Sequence, residues 1–282
     1  MTQTTGISTG WGIKGAVAPR QAPGPATPSD VKVTWARHLD EVRAVQRLRY
    51  DVFAREMGAR LHTRLDGHDV DLFDDYCEHL LVTDTRTDEV IGTYRVLTPA
   101  QAKRAGSTYS DTEFDLTRLR MLRHRMVELG RSCVHADYRQ GAVIMALWAA
   151  LAEFMGRNQL DIMIGCASIP MQIPGQRDGV AGGHAAASIW LQLRERYLAP
   201  IEYQVLPRLP LPVDELEAGM PAGMLAEPPA LIKAYLRLGT RILGAPAWDP
   251  DFNTADLPMM MKLDDLAPVS YTHLRAHETR ED

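Results

Sequence analysis

The chain has 282 residues and a formal net charge of −5, with 45% hydrophobic and 24% charged residues. These values are typical of a globular protein, and the net negative charge argues against a protein that binds nucleic acid in bulk. The three cysteines form no CxxC pair. They predict free thiols in a reducing cytoplasm and disfavour a disulfide framework or a zinc site, so we expect no bound metal. No apolar run reaches the roughly 18 residues of a membrane span, so we expect any membrane contact to be peripheral.

Composition divides the chain into three segments. Residues 1–30 are rich in glycine, proline, threonine and serine, which predicts a disordered leader. Residues 31–268 are expected to form one globular domain. Residues 269–282 resemble one reading frame of a transposase adapter used in sequencing libraries, and we exclude them from fold reasoning as an artefact. We therefore expect the natural C-terminus to be missing.

The first part of the domain begins with a predicted strand at Val31–Trp35 and a helix at Asp40–Met57, where apolar residues recur at helical spacing. Arg49 lies beside that apolar stripe, a position usual for a solvated or snorkelling arginine. Residues 60–78 are polar and rich in aspartate. Their composition permits a metal site, but their spacing matches no calcium loop, so a solvated acidic loop is predicted.

A β-hairpin and an arginine-rich run follow. Alternating β-branched residues at His79–Asp84 and Val90–Leu97 predict the hairpin, and Pro99–Ala105 predicts a short helix that starts on its proline. Residues 115–125 then bring together four arginines: Arg118, Arg120, Arg123 and Arg125. Such a run is usually a solvated face, but its place just before the central strand equally favours a dock for an acidic partner or a phosphate.

The central stretch, Met126–Ala150, predicts a buried strand, a turn and a helix. The turn consists of Arg139, Gln140, Gly141 and Ala142. A strand that opens through a glycine turn into a helix N-terminus aims free backbone N–H groups at one point, which suits a phosphate. Glu128, Arg131 and Ser132 interrupt the otherwise apolar strand, and buried polar side chains cost free energy unless paired. The sequence therefore predicts a functional site here.

The second part of the domain starts with a buried strand at Asp161–Ser168, which completes a βαβ unit and predicts a partly parallel sheet. Helices are predicted at Ala185–Tyr197 and Pro229–Leu238, and a last strand at Pro258–Leu263. Residues 200–228 are rich in proline and carry several apolar residues. They predict either a lid over a lipid chain or a cover packed on the core.

Three aspartates stand among aromatic residues between the last predicted helix and strand. Asp249, Asp251 and Asp256 lie in the segment AWDPDFNTAD. This composition fits a pocket for a cationic substrate, and it also fits a connector built from Asx-turns.

Three segments occur in an order that resembles the L-ornithine Nα-acyltransferases, which start ornithine-lipid synthesis on the GNAT fold. They are ELGRSCVHADYRQGAVIMALWAALAEFM, GCAS at Gly165–Ser168, and PPALIKAYLRLG followed by APAWDPDFNTAD. The segments LRYDVF, DLFDDYCEHLLV and IGTYRVL also resemble N-acyl-homoserine lactone synthases, related enzymes that draw acyl chains from acyl carrier protein. The resemblance covers about residues 31–265. It implies an α/β (α+β) fold in which one domain has a mixed, twisted central sheet flanked by helices.

The resemblance also implies a reaction. A (3-hydroxy)acyl chain would move from acyl carrier protein to the α-amine of L-ornithine and give lyso-ornithine lipid. No cofactor would be bound, because the acyl-phosphopantetheine of the carrier is a co-substrate. The usual GNAT phosphate loop is Gln/Arg-x-x-Gly-x-Gly/Ala, and the Arg139–Ala142 turn is shorter. That weakens the case for acetyl-CoA and is compatible with a single phosphopantetheine phosphate.

An amine that attacks a thioester must be deprotonated and aligned, and the developing oxyanion must be stabilised. We expect Glu128 to be the base, directly or through water, with Arg131 beside it in the catalytic group. Alternatively, Glu128 pairs with Arg131 or Arg49 and only orders the site. Backbone N–H groups around Cys133 and Val134, where the GNAT central strand bulges, are expected to hold the thioester oxygen. A nucleophilic Cys133 thiol is disfavoured, since no His–Asx arrangement is evident nearby.

The remaining expectations concern partners. Substrate contacts are expected from Arg49, Phe53, Ser168, Asp249, Asp251 and Asp256, the three aspartates serving the ornithine ammonium groups. The four clustered arginines are expected to dock the carrier, and the lipid product would bring a cytoplasmic enzyme to the inner-membrane surface. Two alternatives stay open: the same chemistry on glycine, lysine or glutamine, and a non-catalytic, membrane-peripheral binding protein on the GNAT scaffold.

Overall fold

The computed structural model describes residues 30–171 and 182–265. The eight strands of its main sheet are β1 Val31–Trp35, β2 Glu78–Asp84, β3 Glu89–Leu97, β5 Met126–Val134, β6 Ile162–Pro170, β8 Arg241–Ile242, β9 Ala247–Asp249 and β10 Thr254–Lys262. Seven of them follow the order β1-β2-β3-β5-β6-β10-β8, and β9 pairs with β10. A separate two-stranded sheet pairs β4 Phe114–Asp115 with β7 Leu206–Pro207. The helices are α1 Leu39–Tyr50, α2 Pro99–Ala105, α3 Ser110–Glu113, α4 Ala142–Arg157, α5 Gly182–Tyr197, α6 Val213–Ala218 and α7 Ala230–Arg237.

The strands and helices expected from periodicity are present within this part of the chain, so the mixed α/β fold with helices around one sheet is confirmed. Several boundaries differ by one to four residues, and two of these differences bear on the site. The helix predicted to Met57 is α-helical only to Tyr50 and continues as a π-helix over Asp51–Glu56. Strand β10 starts at Thr254, four residues before the predicted start, which places Asp256 on a strand. The leader, apart from Asp30, and the adapter-like tail lie outside the described residues.

The sheet forks between its two central strands. Strands β5 and β6 are parallel neighbours, as the βαβ pattern predicted, but they pair only from Met126–Glu128 to Ile162–Ile164. Beyond that point β5 stays with β3, while β6 follows β10 along its whole length. A Cβ atom on Gly165 would lie 2.4 Å from the Leu129 carbonyl oxygen, so the absence of a side chain permits this close approach where the fork begins. The two halves of the sheet then diverge and leave a cleft.

A β-bulge in β5 decides which side chains face the cleft. Thr93 pairs with Cys133 and Arg95 with Gly130, so two steps along β3 match three along β5. The extra residue lies at Arg131–Ser132, and Arg131 has a left-handed backbone with φ of 50°. Because a bulge shifts the alternation of side chains, the strand changes faces here. Val127 packs under α4, whereas Cys133 packs against α1 on the other face.

The loop over residues 60–78 is not the solvated acidic loop that was expected. Asp69 and Asp74 are buried, and both pair with Arg49, which is fully buried as well. Arg95 pairs with Asp74 and with the partly exposed Asp71. The loop is therefore tied to α1 and β3 by charges that have been removed from water, an arrangement that its composition alone could not reveal. No helix in the described ranges is long and apolar enough to cross a membrane.

Candidate active site

A cavity of about 640 Å³ occupies the fork between β5 and β6. One end is polar and is lined by Glu128, Arg131, Tyr109, Asp249 and Asp256. The other end runs between α4 and α7 and has mainly apolar walls, formed by Ile144, Trp148, Met163, Leu231, Ala234, Met259 and Met261. The cavity therefore joins a charged end and an apolar channel in one space.

Glu128 lies at the point where the fork opens. Its carboxylate accepts the backbone N–H groups of Tyr109 at 2.7 Å and Ser110 at 2.6 Å. Burial raises the pKa of the carboxyl group, and the hydrogen bonds from Ser110 and Tyr109 oppose that rise only in part. The expected alternative, an ion pair with Arg131 or Arg49, is wrong, because both guanidiniums bind aspartates instead. Glu128 faces the cavity with a raised affinity for a proton.

Arg131 occupies the bulge beside Glu128. Its guanidinium pairs with Asp69 at 3.1 Å and Asp71 at 3.2 Å. It also lies over the rings of Tyr109 and Phe252, 5.0 and 4.8 Å from their centroids. These contacts hold a positive charge at the cavity wall in a fixed orientation, since Arg stacks on aromatic faces as well as pairing with carboxylates.

Arg49 does not have the substrate-contacting position expected of it. Its guanidinium donates to Asp69 at 2.8 Å and to both carboxylate oxygens of Asp74 at 2.9 Å. It is absent from the cavity wall. Burial alone would raise the pKa of Asp74, but Arg49 and Arg95 outweigh it and hold that pKa well below its usual range. Arg49 contacts the site only indirectly. It binds Asp69, which also binds Arg131, and Asp74, which also binds Arg95.

A cluster of carboxylates forms the far side of the polar end. Asp256 is buried, accepts a hydrogen bond from Thr254 at 2.9 Å and interacts with Ser168 beside it in the sheet. Burial, together with the charge of Asp249, raises the pKa of Asp256 to about 6. Burial and the charges of Asp256 and Asp249 raise the pKa of Glu113 to about 7. Carboxylates that raise one another's pKa in this way would be stabilised by a bound cation.

The three aspartates of the AWDPDFNTAD segment separate in the structure. Asp249 lines the cavity and also makes the Asx-turn, accepting the N–H groups of Asp251 and Phe252 at 2.8 and 3.0 Å. The Asx-turn connector is therefore present, and the contact of Asp249 with a cationic substrate stays a prediction. Asp251 does not line the cavity, and the expected substrate contact is wrong for it. Its partly exposed side chain lies near Arg60 and His62, at 3.7 and 3.2 Å.

Two other expected contact residues do reach the cavity. Phe53 lines it from the π-helical turn and packs edge-on against Phe252, with ring centroids 5.6 Å apart. Ser168 lines it from β6 and is exposed. Both therefore have access to a ligand.

The backbone around Cys133 and Val134 is not where the central strand bulges. These residues pair regularly with Thr93 and Gly92 on β3, and the bulge lies one to two residues earlier. Both still line the cavity, because β6 has left this edge of β5. Burial raises the pKa of the Cys133 thiol to about 12, which favours the protonated form and agrees with the sequence argument that disfavours Cys133 as a nucleophile.

The turn Arg139–Ala142 lies at the open end of the fork. Gly141 has φ of 104° and is the N-cap of α4, a backbone conformation that strongly favours glycine. Arg139 and Gly141 line the cavity, whereas Gln140 is exposed and donates to the Asp137 carbonyl. Arg139 is also held by Glu56 through two contacts of 2.5 and 2.8 Å.

The arginine-rich run does not form one patch. Arg123 pairs with Asp111 and Arg125 with Asp161, while Arg118 donates to the carbonyls of Ile201 and Gln204. The four arginines precede β5, whereas the Arg139 turn follows it. Because a nine-residue strand spans about 30 Å, the two groups lie at opposite ends of β5. Arg118 and Arg120 remain exposed at the closed end of the fork.

The segment 200–228 does not cover the cavity, although one interpretation made it a lid. Leu211 is buried in the core, whereas Leu206 and Leu225 point to solvent. The described lining residues that close the apolar end begin at Pro229 and belong mainly to α7.

Sequence reasoning missed Tyr109, Ser110 and Glu113. They belong to the short helix α3 and its N-cap, and they meet Glu128, Asp249 and Asp256 only through the fold. A four-residue helix is too short to show a periodicity in the sequence. The available signal was the carboxylate of Glu113 next to Phe114, an apolar residue that the structure buries.

Comparison with known proteins identifies the family of the chain. An acetyltransferase (GNAT) domain family matches residues 48–149. The L-ornithine N(alpha)-acyltransferase of Rhodobacter capsulatus is 35% identical over 246 residues, 84% of this chain and 91% of its own. That of Brucella abortus is 32% identical over 261 residues, 89% of this chain and 90% of its own. The chain belongs to the L-ornithine N(alpha)-acyltransferase family.

Membership of this family makes the protein an acyltransferase. Among solved structures, a CoA-dependent acyl-homoserine lactone synthase, BjaI, with SAM and isopentyl-CoA is 18% identical. It covers 89% of this chain and 91% of its own, with a TM-score of 0.49.

Proposed function

We propose that this acyltransferase moves an acyl chain from acyl carrier protein to the α-amine of L-ornithine and gives lyso-ornithine lipid. The observation that carries the proposal is the cavity, which joins a carboxylate-rich end to an apolar channel. A cationic amino acid suits the first and an acyl chain suits the second. The names of the relatives support ornithine as the acceptor.

Ornithine occupies the polar end in this proposal. The side-chain ammonium is placed against Asp249 and Asp256, with Ser168 as a further hydrogen-bonding group. Both aspartates line the cavity and are buried, so a cation there is attracted at low effective dielectric. Arg131 supplies positive charge for the α-carboxylate, since its guanidinium is fixed at the same end.

Glu128 is the general base. Its raised pKa favours taking a proton from the α-ammonium, directly or through a water molecule. The free amine then attacks the thioester carbonyl carbon, the C–N bond forms and the C–S bond breaks. The phosphopantetheine sulfur leaves and takes up a proton as its thiol. The backbone around Cys133 and Val134 is assigned to the oxyanion. The His135 N–H donates to Ile91 on β3, and neighbouring residues of a strand alternate, so it is the Val134 N–H that faces the edge that β6 has left.

The donor enters at the open end of the fork. Its phosphopantetheine phosphate is assigned to the Arg139–Ala142 turn, where Arg139 and the N-terminus of α4 provide positive charge. Arg118 and Arg120 are retained as candidates for contact with the acidic carrier protein. The single-chain lipid product implies release at the inner-membrane surface, so a peripheral contact there is part of the proposal.

The decisive test offers 3-hydroxyacyl carrier protein with ornithine, lysine, glutamine or glycine to the purified protein and identifies products by mass spectrometry. Lyso-ornithine lipid formed in preference to the other products supports the proposal. Product from another amine alone would replace the acceptor. No product with any amine, from protein with a cooperative unfolding transition, would favour a non-catalytic binding protein.

A further inference from the structure

Tyr109 hydrogen-bonds to a carboxylate at each of its two ends. Its backbone N–H donates to Glu128 at 2.7 Å, and its hydroxyl donates to Asp249 at 3.3 Å. All three residues line the polar end of the cavity. One tyrosine therefore connects the carboxylate proposed as the base with a carboxylate proposed for the side-chain ammonium of the acceptor.

The Tyr109 ring is held from more than one side. The Arg131 guanidinium lies over it, 5.0 Å from the ring centroid, and Phe73 packs against it edge-on, with centroids 6.2 Å apart. The backbone is held as well, because Tyr109 is the N-cap of α3 and the next residue, Ser110, also donates to Glu128. A tyrosine side chain has only two χ angles, so these contacts fix the distance between its two ends.

The two carboxylates are oriented by these bonds and keep free acceptor capacity. Oδ1 of Asp249 accepts the N–H groups of Asp251 and Phe252, and Oδ2 accepts the Tyr109 hydroxyl. Each oxygen of Glu128 accepts one backbone N–H. Since a carboxylate oxygen has about two lone-pair sites, Oδ2 of Asp249 and both oxygens of Glu128 can each accept one further hydrogen bond.

Two free acceptors at a fixed separation suit a ligand with two amino groups. A tyrosine spans roughly 7 Å from its backbone nitrogen to its hydroxyl oxygen, and the amino groups of an extended ornithine lie about 6 Å apart, by standard bond lengths and angles. One carbon more, as in lysine, or one fewer, as in 2,4-diaminobutyrate, changes the second distance by about 1.3 Å. A change of that size lengthens or bends one of the two hydrogen bonds, and hydrogen bonds weaken steeply with poor geometry.

We propose that Tyr109 is a positioning residue that selects the acceptor by the separation of its two amino groups, because it fixes the distance between Glu128 and Asp249. This rests on the proposed function, which places the α-amine at Glu128 and the side-chain ammonium at Asp249 and Asp256. The acceptor class is a diamino acid whose side chain has the length of that of ornithine. Tyr109 transfers no proton in this role, since its hydroxyl hydrogen is donated to Asp249.

The first test offers ornithine, lysine and 2,4-diaminobutyrate in turn, with one acyl carrier protein donor. The measured quantity is the ratio of kcat/KM for ornithine to that for each of the other two diamino acids. Wild-type protein is expected to favour ornithine by about tenfold or more, the usual effect of one methylene group. Tyr109→Phe keeps the ring and the backbone N–H but removes the hydroxyl, and should lower both ratios about 3- to 10-fold, the contribution of one hydrogen bond.

Asp249→Glu tests the direction of the effect. The added methylene group extends the carboxylate further into the cavity and leaves less room between it and Glu128. The kcat/KM for 2,4-diaminobutyrate relative to ornithine should therefore rise about tenfold, while that for lysine relative to ornithine should fall. A shift toward lysine, or an equal loss with all three acceptors, would overturn the inference.

Tyr203→Phe is the matched control, since Tyr203 does not line the cavity, and its ratios should equal those of wild type. If Tyr109→Phe loses the same proportion of kcat/KM with all three acceptors, Tyr109 only supports the fold and the inference is wrong. Equal use of the three acceptors by wild-type protein would also overturn it, while the transfer to ornithine would stand. Failure to acylate ornithine at all would instead count against the proposed function.

Discussion

Glu128 and Ser110 are joined by a hydrogen bond of 2.6 Å from the Ser110 backbone N–H to the Glu128 carboxylate. A second bond from Tyr109 uses the other carboxylate oxygen at 2.7 Å. The proposed base therefore also holds the start of α3 against the central strand. Proton transfer and the anchoring of α3 depend on the same two carboxylate oxygens, so a Glu128 variant must be tested for both activity and stability.

Glu128→Gln is predicted to reduce kcat by about 100- to 10,000-fold, the usual contribution of a general base. The amide offers one acceptor oxygen in place of two and faces the second N–H with a donor. We therefore also expect a loss of about 1–3 kcal/mol in the free energy of unfolding. Rates with ornithine and urea unfolding curves check the two effects, with the surface variant Glu202→Gln as control. If Glu128→Gln keeps more than about a tenth of the wild-type rate, Glu128 is not the base.

The carboxylate cluster predicts a pH-dependent affinity for ornithine. The pKa values of Asp256 and Glu113 are raised to about 6 and about 7, so both groups become protonated as the pH falls through that range. Protonation removes the negative charge that attracts an ammonium group. The KM for ornithine should therefore rise as the pH is lowered from about 8 to about 5, where the ammonium stays charged.

Asp256→Asn tests that prediction directly. It should raise the KM for ornithine about tenfold or more, since charge-assisted hydrogen bonds contribute about 1.5–3 kcal/mol, and should flatten its pH dependence. The KM for the acyl donor serves as the internal control and should change little. Asp251→Asn, which alters a carboxylate outside the cavity, should behave as wild type. An unchanged KM for ornithine in Asp256→Asn would contradict this assignment.

The sequence predicted the sheet, the βαβ unit and the turn before α4 because those features depend on local periodicity and on glycine. Long-range charge pairing was not predictable in the same way. Residues 60–78 were expected to be solvated, yet Asp69 and Asp74 are buried with Arg49. Spacing along the chain contains no information on a partner 20 or more residues away.

The candidate site shows the same division. Glu128 lies on β5 and the Arg139–Ala142 turn follows that strand directly, so both could be found from a local pattern. Glu128, Arg139 and Gly141 line the cavity. Glu113 and Tyr235 reach the site from α3 and α7, so only the packing of those helices reveals them. The bulge lies at Arg131–Ser132, and its position follows from register with β3 rather than from composition.

The buried ion pairs predict an unequal effect of two arginine substitutions in neighbouring helical turns. Arg49→Met leaves Asp69 and Asp74 buried with fewer partners, which typically costs about 3–5 kcal/mol. Arg55→Met removes an exposed pair with Asp51 and a cation–π contact with the Tyr50 ring, and should change the free energy of unfolding by less than about 1.5 kcal/mol. Urea unfolding at neutral pH measures both. Equal effects would mean that the buried pairs do not stabilise the loop.

The pH dependence of that stability follows from Asp74. Its pKa is held below the unfolded value by Arg49 and Arg95 despite burial, so its contribution is fully present above the unfolded pKa of about 4. The contribution is lost as the pH falls through the lower, folded pKa. Unfolding curves between about pH 7 and about pH 5 should therefore show no loss from this group.

Gly141→Ala is predicted to weaken the binding of the acyl donor. With φ of 104°, an alanine there is strained by about 1–3 kcal/mol and is expected to shift the turn that starts α4. The KM for acyl carrier protein should rise several-fold while the KM for ornithine stays the same. Gly156→Ala in the same helix has free space around the added methyl group and should stabilise the protein by about 0.5–1 kcal/mol. A donor KM that does not respond to Gly141→Ala would remove the turn from the donor site.

The carrier contact can be tested with the two arginines that remain exposed at the closed end of the fork. The double variant Arg118→Glu/Arg120→Glu should raise the KM for acyl carrier protein about tenfold, because charge reversal opposes an acidic partner. The KM of the double variant for an acyl-pantetheine thioester, a donor that lacks the carrier protein, should equal that of the wild type. Lys32→Glu/Arg37→Glu makes the same charge change on an exposed surface elsewhere and is the matched control. Since β5 separates these arginines from the Arg139 turn by about 30 Å, an unchanged KM would place the carrier at the open end, beside Arg139.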